Sequence, residues 1–238
     1  MQKKSYKLLY SLCSLSFMIF VLLAVVHFWS FNEDFYRSEH QKLKLYGKSI
    51  SEHIGITDED LDELTGFTLD YLNRWDTSLD KKMMIKGQLR EVFNDDEKLH
   101  MADVRKLNIL SIYLCFAALI VFNVTMYLII NKRLFKQFYQ FNKVFYRNTA
   151  IVFLLLGAWI VIDFNSFWNF FHHIFFAGND LWLLDLNKDV LIMIVPPEFF
   201  FHLVTVILVS FVVILILYNL VLFYINKEVN KHDQYRII

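Results

Sequence analysis

The sequence predicts an all-α polytopic membrane protein in which four transmembrane helices carry an outer cap. Three observations point there. The 238 residues include 25 Phe and 12 Tyr but only 6 Gly and 2 Pro, too few turn formers for the short alternating strands of a β-barrel. Four apolar runs approach or exceed the roughly 20 residues that span a bilayer. Lys and Arg gather in alternate connecting segments, as membrane topology requires.

The first run covers residues 8–31. It is longer than a secretory h-region and no small-x-small site follows Ser30-Phe31, so it reads as a retained helix. An acid-rich outer region, 32–106, comes next. Within it, Thr57-Asp58-Glu59-Asp60 reads as a helix start, with a capping hydroxyl and acids at the positive end of the dipole. Leu61, Leu64, Leu69 and Leu72 mark the apolar face of that helix. A second amphipathic stretch, near 83–93, sets Met84, Leu89 and Phe93 among Lys and Arg and also reads as a helix. Such helices either lie along the membrane surface or make a plain solvated cap.

The second run is 107–131, followed by a basic inner loop at 132–147 with Lys132, Arg133, Lys136, Lys143 and Arg147 and no acid. The third, 148–164, runs into an aromatic outer region, 165–197. The residues around His172 are too apolar for a free loop, so they read as a re-entrant half-helix ahead of a turn at Gly178-Asn179-Asp180. A short apolar stretch, 191–195, ends at Pro196-Pro197, and the fourth run is 199–226.

The positive-inside rule then places Lys3, Lys4 and Lys7, the 132–147 segment, and Lys227, Lys231 and Arg236 on the cytoplasmic side, with both termini. No repeat or linker divides the chain, so one membrane domain, 1–238, is expected. The zero formal net charge hides this segregation and says nothing about partners. Cys13 and Cys115 lie in membrane runs without CxxC spacing and read as small apolar residues.

Two histidine motifs carry the chemistry, one before the second run and one in the aromatic region. His100 and Asp103 are three apart and share a helix face, where a carboxylate can hold an imidazole in one tautomer. The bland reading of the pair is a simple helix-start cluster. His172 sits among aromatics, where partial desolvation disfavours its cation and leaves it available as a base. Its bland alternative is an interfacial ring bonded to a carbonyl. His173 points about 100° away on a helix, and His202 reads as structural.

Asp163 is an acid between two apolar runs, costly there unless it binds something, such as a substrate amine, or ends a helix. Arg105 and Lys106 read as phosphate-holding or interfacial anchors. There is no HExxH, no GxSxG elbow, no Gly-rich phosphate loop, no nucleic-acid stripe and no metal-ligand spacing. With no Ser or Cys nucleophile beside either His, a route without a covalent enzyme intermediate is the natural one.

The ordered set His100-x-x-Asp103-Val104, Phe171-His172-x-x-Phe175-Phe176, Asp180-x-Trp182, Asp189-x-Leu191-Ile192 and a final Pro-x-x-Phe resembles the lipoprotein intramolecular transacylase family of Gram-positive bacteria. The resemblance spans nearly the whole chain. It implies an acyltransferase of the bacterial plasma membrane, multi-pass, with its active site at the outer leaflet. The implied reaction moves the sn-2 acyl chain of an S-diacylglyceryl-cysteine lipoprotein onto that lipoprotein's own α-amine, giving the lyso-form. It further implies His100 and His172 as catalytic, Asp103, Arg105, Asp163 and Trp182 as orienting or substrate-binding, and no metal or other cofactor. The implied partners are diacylglyceryl-modified lipoproteins and membrane lipids, not nucleic acid. Two other readings stand beside it: a non-catalytic accessory or lipid-binding membrane protein, and a metal-dependent membrane hydrolase.

Overall fold

The computed structural model describes residues 2–73 and 78–235, so Arg236 of the basic tail lies outside the described residues. In chain order the elements are α1 (Gln2–Ser30), α2 (Glu33–Lys42), β1 (Lys44–Leu45), β2 (Lys48–Ser49), α3 (Ile50–Ile54), α4 (Asp58–Asn73), β3 (Lys82–Ile85) and β4 (Gln88–Glu91). Then come α5 (Asp95–Asn131), α6 (Phe135–Ile162), α7 (Phe164–Phe175), α8 (Val190–Ile194) and α9 (Pro197–Tyr235). Four of these contain segments long and apolar enough to cross a membrane: Tyr6–Ser30, Asp95–Asn131, Phe135–Ile162 and Pro197–Lys231.

The described residues of 1–26, 112–161 and 206–238 form one compact unit, built from parts of α1, α5, α6 and α9. Its core packs Tyr10, Cys13, Ile129, Phe138, Tyr139 and Leu222. A polar chain crosses it: Ser14 donates to the Asn142 side-chain oxygen at 2.8 Å, and the Asn142 amide donates to Asn219 at 3.2 Å. Such bonds join helices where apolar contact alone gives no preference over lipid. Its outer surface exposes Phe116, Leu154 and Val161, an unfavourable surface in water but a suitable one in hydrocarbon.

The described residues of 27–111 and 162–205 form the other unit. Its core gathers Ile50, Ile54, Leu61, Leu64, Tyr71, Ile85, Phe93, Met101, Val190 and Ile194. The expected start of α4 is present: Thr57 Oγ1 accepts from the Asp60 N–H at 3.0 Å, and the Asp60 carboxylate accepts from the Thr57 N–H at 3.1 Å. This reciprocal arrangement is a capping box. Leu61, Leu64 and Leu69 of the expected face are buried.

Three sequence readings are corrected. The stretch 83–93 is not a helix but the β3–β4 hairpin, in register from Lys82 opposite Glu91 to Ile85 opposite Gln88. Its two-residue turn is Lys86-Gly87, both with positive φ (53° and 77°), which glycine adopts freely and which matches strand twist. Met83 and Ile85 are buried while Met84 is exposed, a period of two rather than 3.6. The basic segment 132–147 is not a loop: α6 begins at Phe135, after a tight turn in which Arg133 takes φ 55°. The helix of the second apolar run starts at Asp95 rather than 107, making α5 37 residues long. At 1.5 Å per residue that is about 56 Å, well beyond a hydrocarbon core of about 30 Å.

A paired-histidine candidate active site

The site lies within the second unit and is built from the first turns of α5, from α7 and from the turn after it. At α5, Asn94 and Glu97 form a capping box, Asn94 accepting from the Glu97 N–H (3.0 Å) and Glu97 from the Asn94 N–H (2.7 Å). The other Glu97 oxygen accepts from the Leu191 N–H of α8 at 2.7 Å, and this carboxylate is almost fully buried. Asp189 extends the tie, accepting from the Asn94 side chain at 2.8 Å and from the Asp185 N–H at 2.7 Å. The start of α5 is therefore fixed, and helical spacing puts His100 and Met101 on the same buried face as Glu97.

At α7, the Asp163 carboxylate caps the helix by accepting from the Ser166 N–H at 3.0 Å. Of the twelve residues that follow, only His172 is buried. Its Nδ1 lies 2.8 Å from the Trp168 carbonyl, one turn back. A carbonyl only accepts, so Nδ1 carries the proton and donates, and the neutral ring's lone pair is on Nε2. Burial lowers the His172 pKa below the usual histidine value; the Trp168 carbonyl acts the other way, and His173 adds to the lowering. His173 itself is exposed.

The two histidines meet. Their ring centroids are 6.2 Å apart with planes 30° from one another, and both rings are buried. Phe176 packs against both, at 5.2 Å from His100 and 5.6 Å from His172. Trp182 stacks on His172 at 4.7 Å and 25°, and meets His173 edge-on. The result is two imidazoles in an aromatic enclosure, one with its tautomer fixed: an arrangement suited to moving a proton in a poorly hydrated space.

Not every expected residue joins them. The oxygens of Asp103 are engaged by Lys106 at 2.9 Å and by the Asn179 amide at 3.2 Å, and its described bonds do not include His100. Arg105 sets its guanidinium over the Tyr71 ring at 4.3 Å. Asp163 sits at the start of α7 as a cap, exposed. Sequence reasoning missed Asn94, Glu97 and Asn179, although Asn94-x-x-Glu97 ahead of an apolar run is a readable capping pattern. Among the described residues, no three side chains of His, Cys, Asp or Glu gather as a metal-ion ligand set.

The family model for the lipoprotein intramolecular transacylase Lit matches residues 11–200. The chain belongs to this family. Both histidine motifs and the aromatic turn fall inside the matched span. Among solved structures, the chain is similar to the membrane-integral lipoprotein intramolecular transacylase Lit from Bacillus cereus determined in meso, with TM-score 0.74 and 19% identity over 96% of this chain and 97% of that one. Two single-histidine variants of the same protein, one to arginine and one to alanine, give TM-score 0.73 and 18% identity; they cover 99% and 98% of this chain. At such identity the likeness establishes the Lit fold. No curated protein sequence matches. Family membership and four membrane-length helices make the chain a multi-pass membrane protein and a transacylase of the Lit type.

Proposed function

We propose that this protein moves the sn-2 acyl chain of an S-diacylglyceryl-cysteine lipoprotein onto the cysteine α-amine, with His172 as base and His100 as its partner. The observation that carries this reading is the pair of buried imidazoles 6.2 Å apart, with Nδ1 of His172 tied to a carbonyl.

The step needs neither an outside acyl donor nor a covalent enzyme intermediate. The free α-amine has a pKa of about 7.7–8.0, so a fraction of it is neutral and nucleophilic near neutrality, and a neutral imidazole can take the proton it sheds on attack. As the N–C bond to the acyl carbon forms, Nε2 of His172 takes the amine proton and the ester carbonyl becomes an oxyanion. When the C–O bond to glycerol breaks, that proton passes to the departing glyceryl oxygen. His100 lies across from His172 and shares the transfer by donating to one of the two oxygens. Amine and ester belong to one molecule, and holding them in register contributes up to about 7–11 kcal/mol in well-oriented cases.

The lysine-rich termini and the 132–147 segment favour a cytoplasmic location for both ends, putting the paired histidines at the outer leaflet, where mature lipoproteins are anchored. The test is mass spectrometry of a reporter lipoprotein's N-terminal lipopeptide from cells expressing wild type, His100→Ala or His172→Ala. Wild type should place one acyl chain on nitrogen at unchanged total mass, and each variant should leave the amine free. Near-full conversion by both variants would refute the assignment.

A further inference from the structure

Among the described residues, three buried side-chain atoms lack a hydrogen-bond partner: His40 Nδ1, the Tyr218 hydroxyl and Trp182 Nε1. His40 donates through Nε2 to the Ile194 carbonyl at 3.0 Å, so its Nδ1 is a lone pair rather than a donor. Tyr218 belongs to the other unit. Trp182 Nε1 differs from both: it is an N–H, a group that can only donate, and it lies in a ring packed on His172. Folded proteins rarely leave such a donor unmade, and one kept unpaired beside reacting groups calls for an explanation.

The surroundings hold this ring in place. Asn179 donates to Asp103 of α5 at 3.2 Å, and its side-chain oxygen accepts from the Leu181 N–H at 3.1 Å. The Leu183 N–H bonds the Asp180 carbonyl, and the Leu184 N–H bonds that of Trp182, each at 3.0 Å. The chain on both sides of Trp182 is thus folded into turns, one of them pinned to the helix of His100. The ring stacks on His172 and meets His173 edge-on.

An indole N–H bond and an imidazole lone pair each lie in the plane of their ring. With the two planes only 25° apart and the centroids 4.7 Å apart, the in-plane groups of Trp182 and His172 lie in adjacent, nearly parallel layers. A tetrahedral acyl centre has this shape of demand. Its nitrogen must reach a base while its oxygen, two bonds away across the acyl carbon, must reach a donor.

We infer that the Trp182 indole N–H is the donor that receives the ester oxyanion during acyl transfer, an inference that rests on the transacylase reading above. The ester carbonyl oxygen takes this hydrogen bond as negative charge develops on it, so the contact is strongest in the transition state, where it lowers the barrier. No proton leaves the indole. The bond forms with the oxyanion and weakens again when the C–O bond to glycerol breaks.

The experiment uses the full-length protein in detergent micelles with a synthetic S-dipalmitoylglyceryl-cysteine peptide. It compares wild type, His172→Ala, Trp182→Phe, and protein carrying benzothienylalanine at position 182, which keeps the indole shape but replaces N–H by sulfur. Both position-182 changes should lower kcat by about 10²–10³-fold, the usual loss for one oxyanion donor, with KM and the acid limb of the pH profile little changed. A kcat within about threefold of wild type for the benzothienyl protein would overturn the donor role, even if Trp182→Phe is slow, because stacking alone would then account for the residue. If His172→Ala keeps wild-type activity, the base assignment fails first, and a slow Trp182 variant is then no support. If His172→Ala is inactive and both position-182 proteins are fast, only the donor inference falls.

Discussion

Asn179 donates its side-chain amide to Asp103 at 3.2 Å, joining the aromatic turn to the helix that carries His100. Asp103 is tied to the loop instead of to the ring: its oxygens hold Lys106 and Asn179, and no described bond joins it to His100. Asn179→Ala and Asp103→Ala both release that turn. Displacing a reacting group by an ångström can cost about 100-fold, so each should lower kcat by roughly 10- to 100-fold. A time course of lipopeptide conversion in micelles checks this. An Asn179→Ala protein at wild-type rate would leave the tether without a role.

Acid should silence the enzyme, but only below the ordinary histidine range. Burial holds the His172 pKa down, and the ring is a base only when neutral. The acid limb of kcat should therefore lie below the unperturbed value of about 6.5, with activity lost as pH falls through it. Stability changes with the same sign. The unfolded chain takes up a proton on this residue near pH 6.5, whereas the folded chain resists until lower pH. Between those two pKa values the unfolded state binds more protons, so stability falls as pH drops through the window and levels off beneath it. His40, also lowered by burial, adds to the loss. A kcat–pH profile with its acid limb at or above about 6.5 would contradict this account.

Glu97 joins α5 to α8, and its loss should destabilise rather than slow the enzyme. Glu97→Ala leaves the Asn94 and Leu191 N–H groups without their acceptor. An unmet buried group costs about 1–3 kcal/mol, so the pair should cost roughly 2–6 kcal/mol. Thermal unfolding in micelles should show a clear drop in Tm, with the surviving folded fraction still turning over. An unchanged Tm would mean that water replaces the carboxylate.

Asp163 offers a choice between two roles that one substitution separates. As a cap it needs only a side-chain oxygen; as a partner of the substrate amine it needs its charge. Asp163→Asn keeps the capping oxygen, so activity within about twofold and an unchanged Tm are expected, whereas Asp163→Ala should lose about 1 kcal/mol of stability at the start of the His172 helix. A large rise in KM for Asp163→Asn with an intact fold would instead favour contact with the amine.

His173→Ala is the control for the neighbouring ring. His173 is exposed and meets Trp182 only edge-on. Its removal should change kcat by less than about fivefold, far from the effect of His172→Ala. Loss comparable to His172→Ala would transfer the base role to it.

How much of this was legible in the sequence differs from residue to residue. Thr57 through Asp60 announced a helix start because a hydroxyl and acids at a helix terminus satisfy backbone N–H groups locally, within a few residues. The stretch 83–93 read as an amphipathic helix because Met84, Leu89 and Phe93 stand among charges, and only the alternation of buried Met83 and Ile85 with exposed Met84 shows the hairpin that turns at Lys86-Gly87. Asn94 and Glu97 were readable as a cap. That Glu97 also reaches Leu191 was not, since nothing in either segment names the other.

The sequence by itself determined that the chain is a four-span helical membrane protein, because bilayer thickness translates directly into apolar length and backbone groups in lipid must be bonded within their own helix. It also marked His100 and His172 as titratable rings at the membrane edge, and the family resemblance added Trp182. Only the tertiary structure decided that the two imidazoles share one enclosure, that Nδ1 of His172 is committed to the Trp168 carbonyl, and that Asp103 bonds Asn179. These are relations of distance and direction between segments far apart in the chain, and local propensity carries no information about which distant partner a side chain will meet.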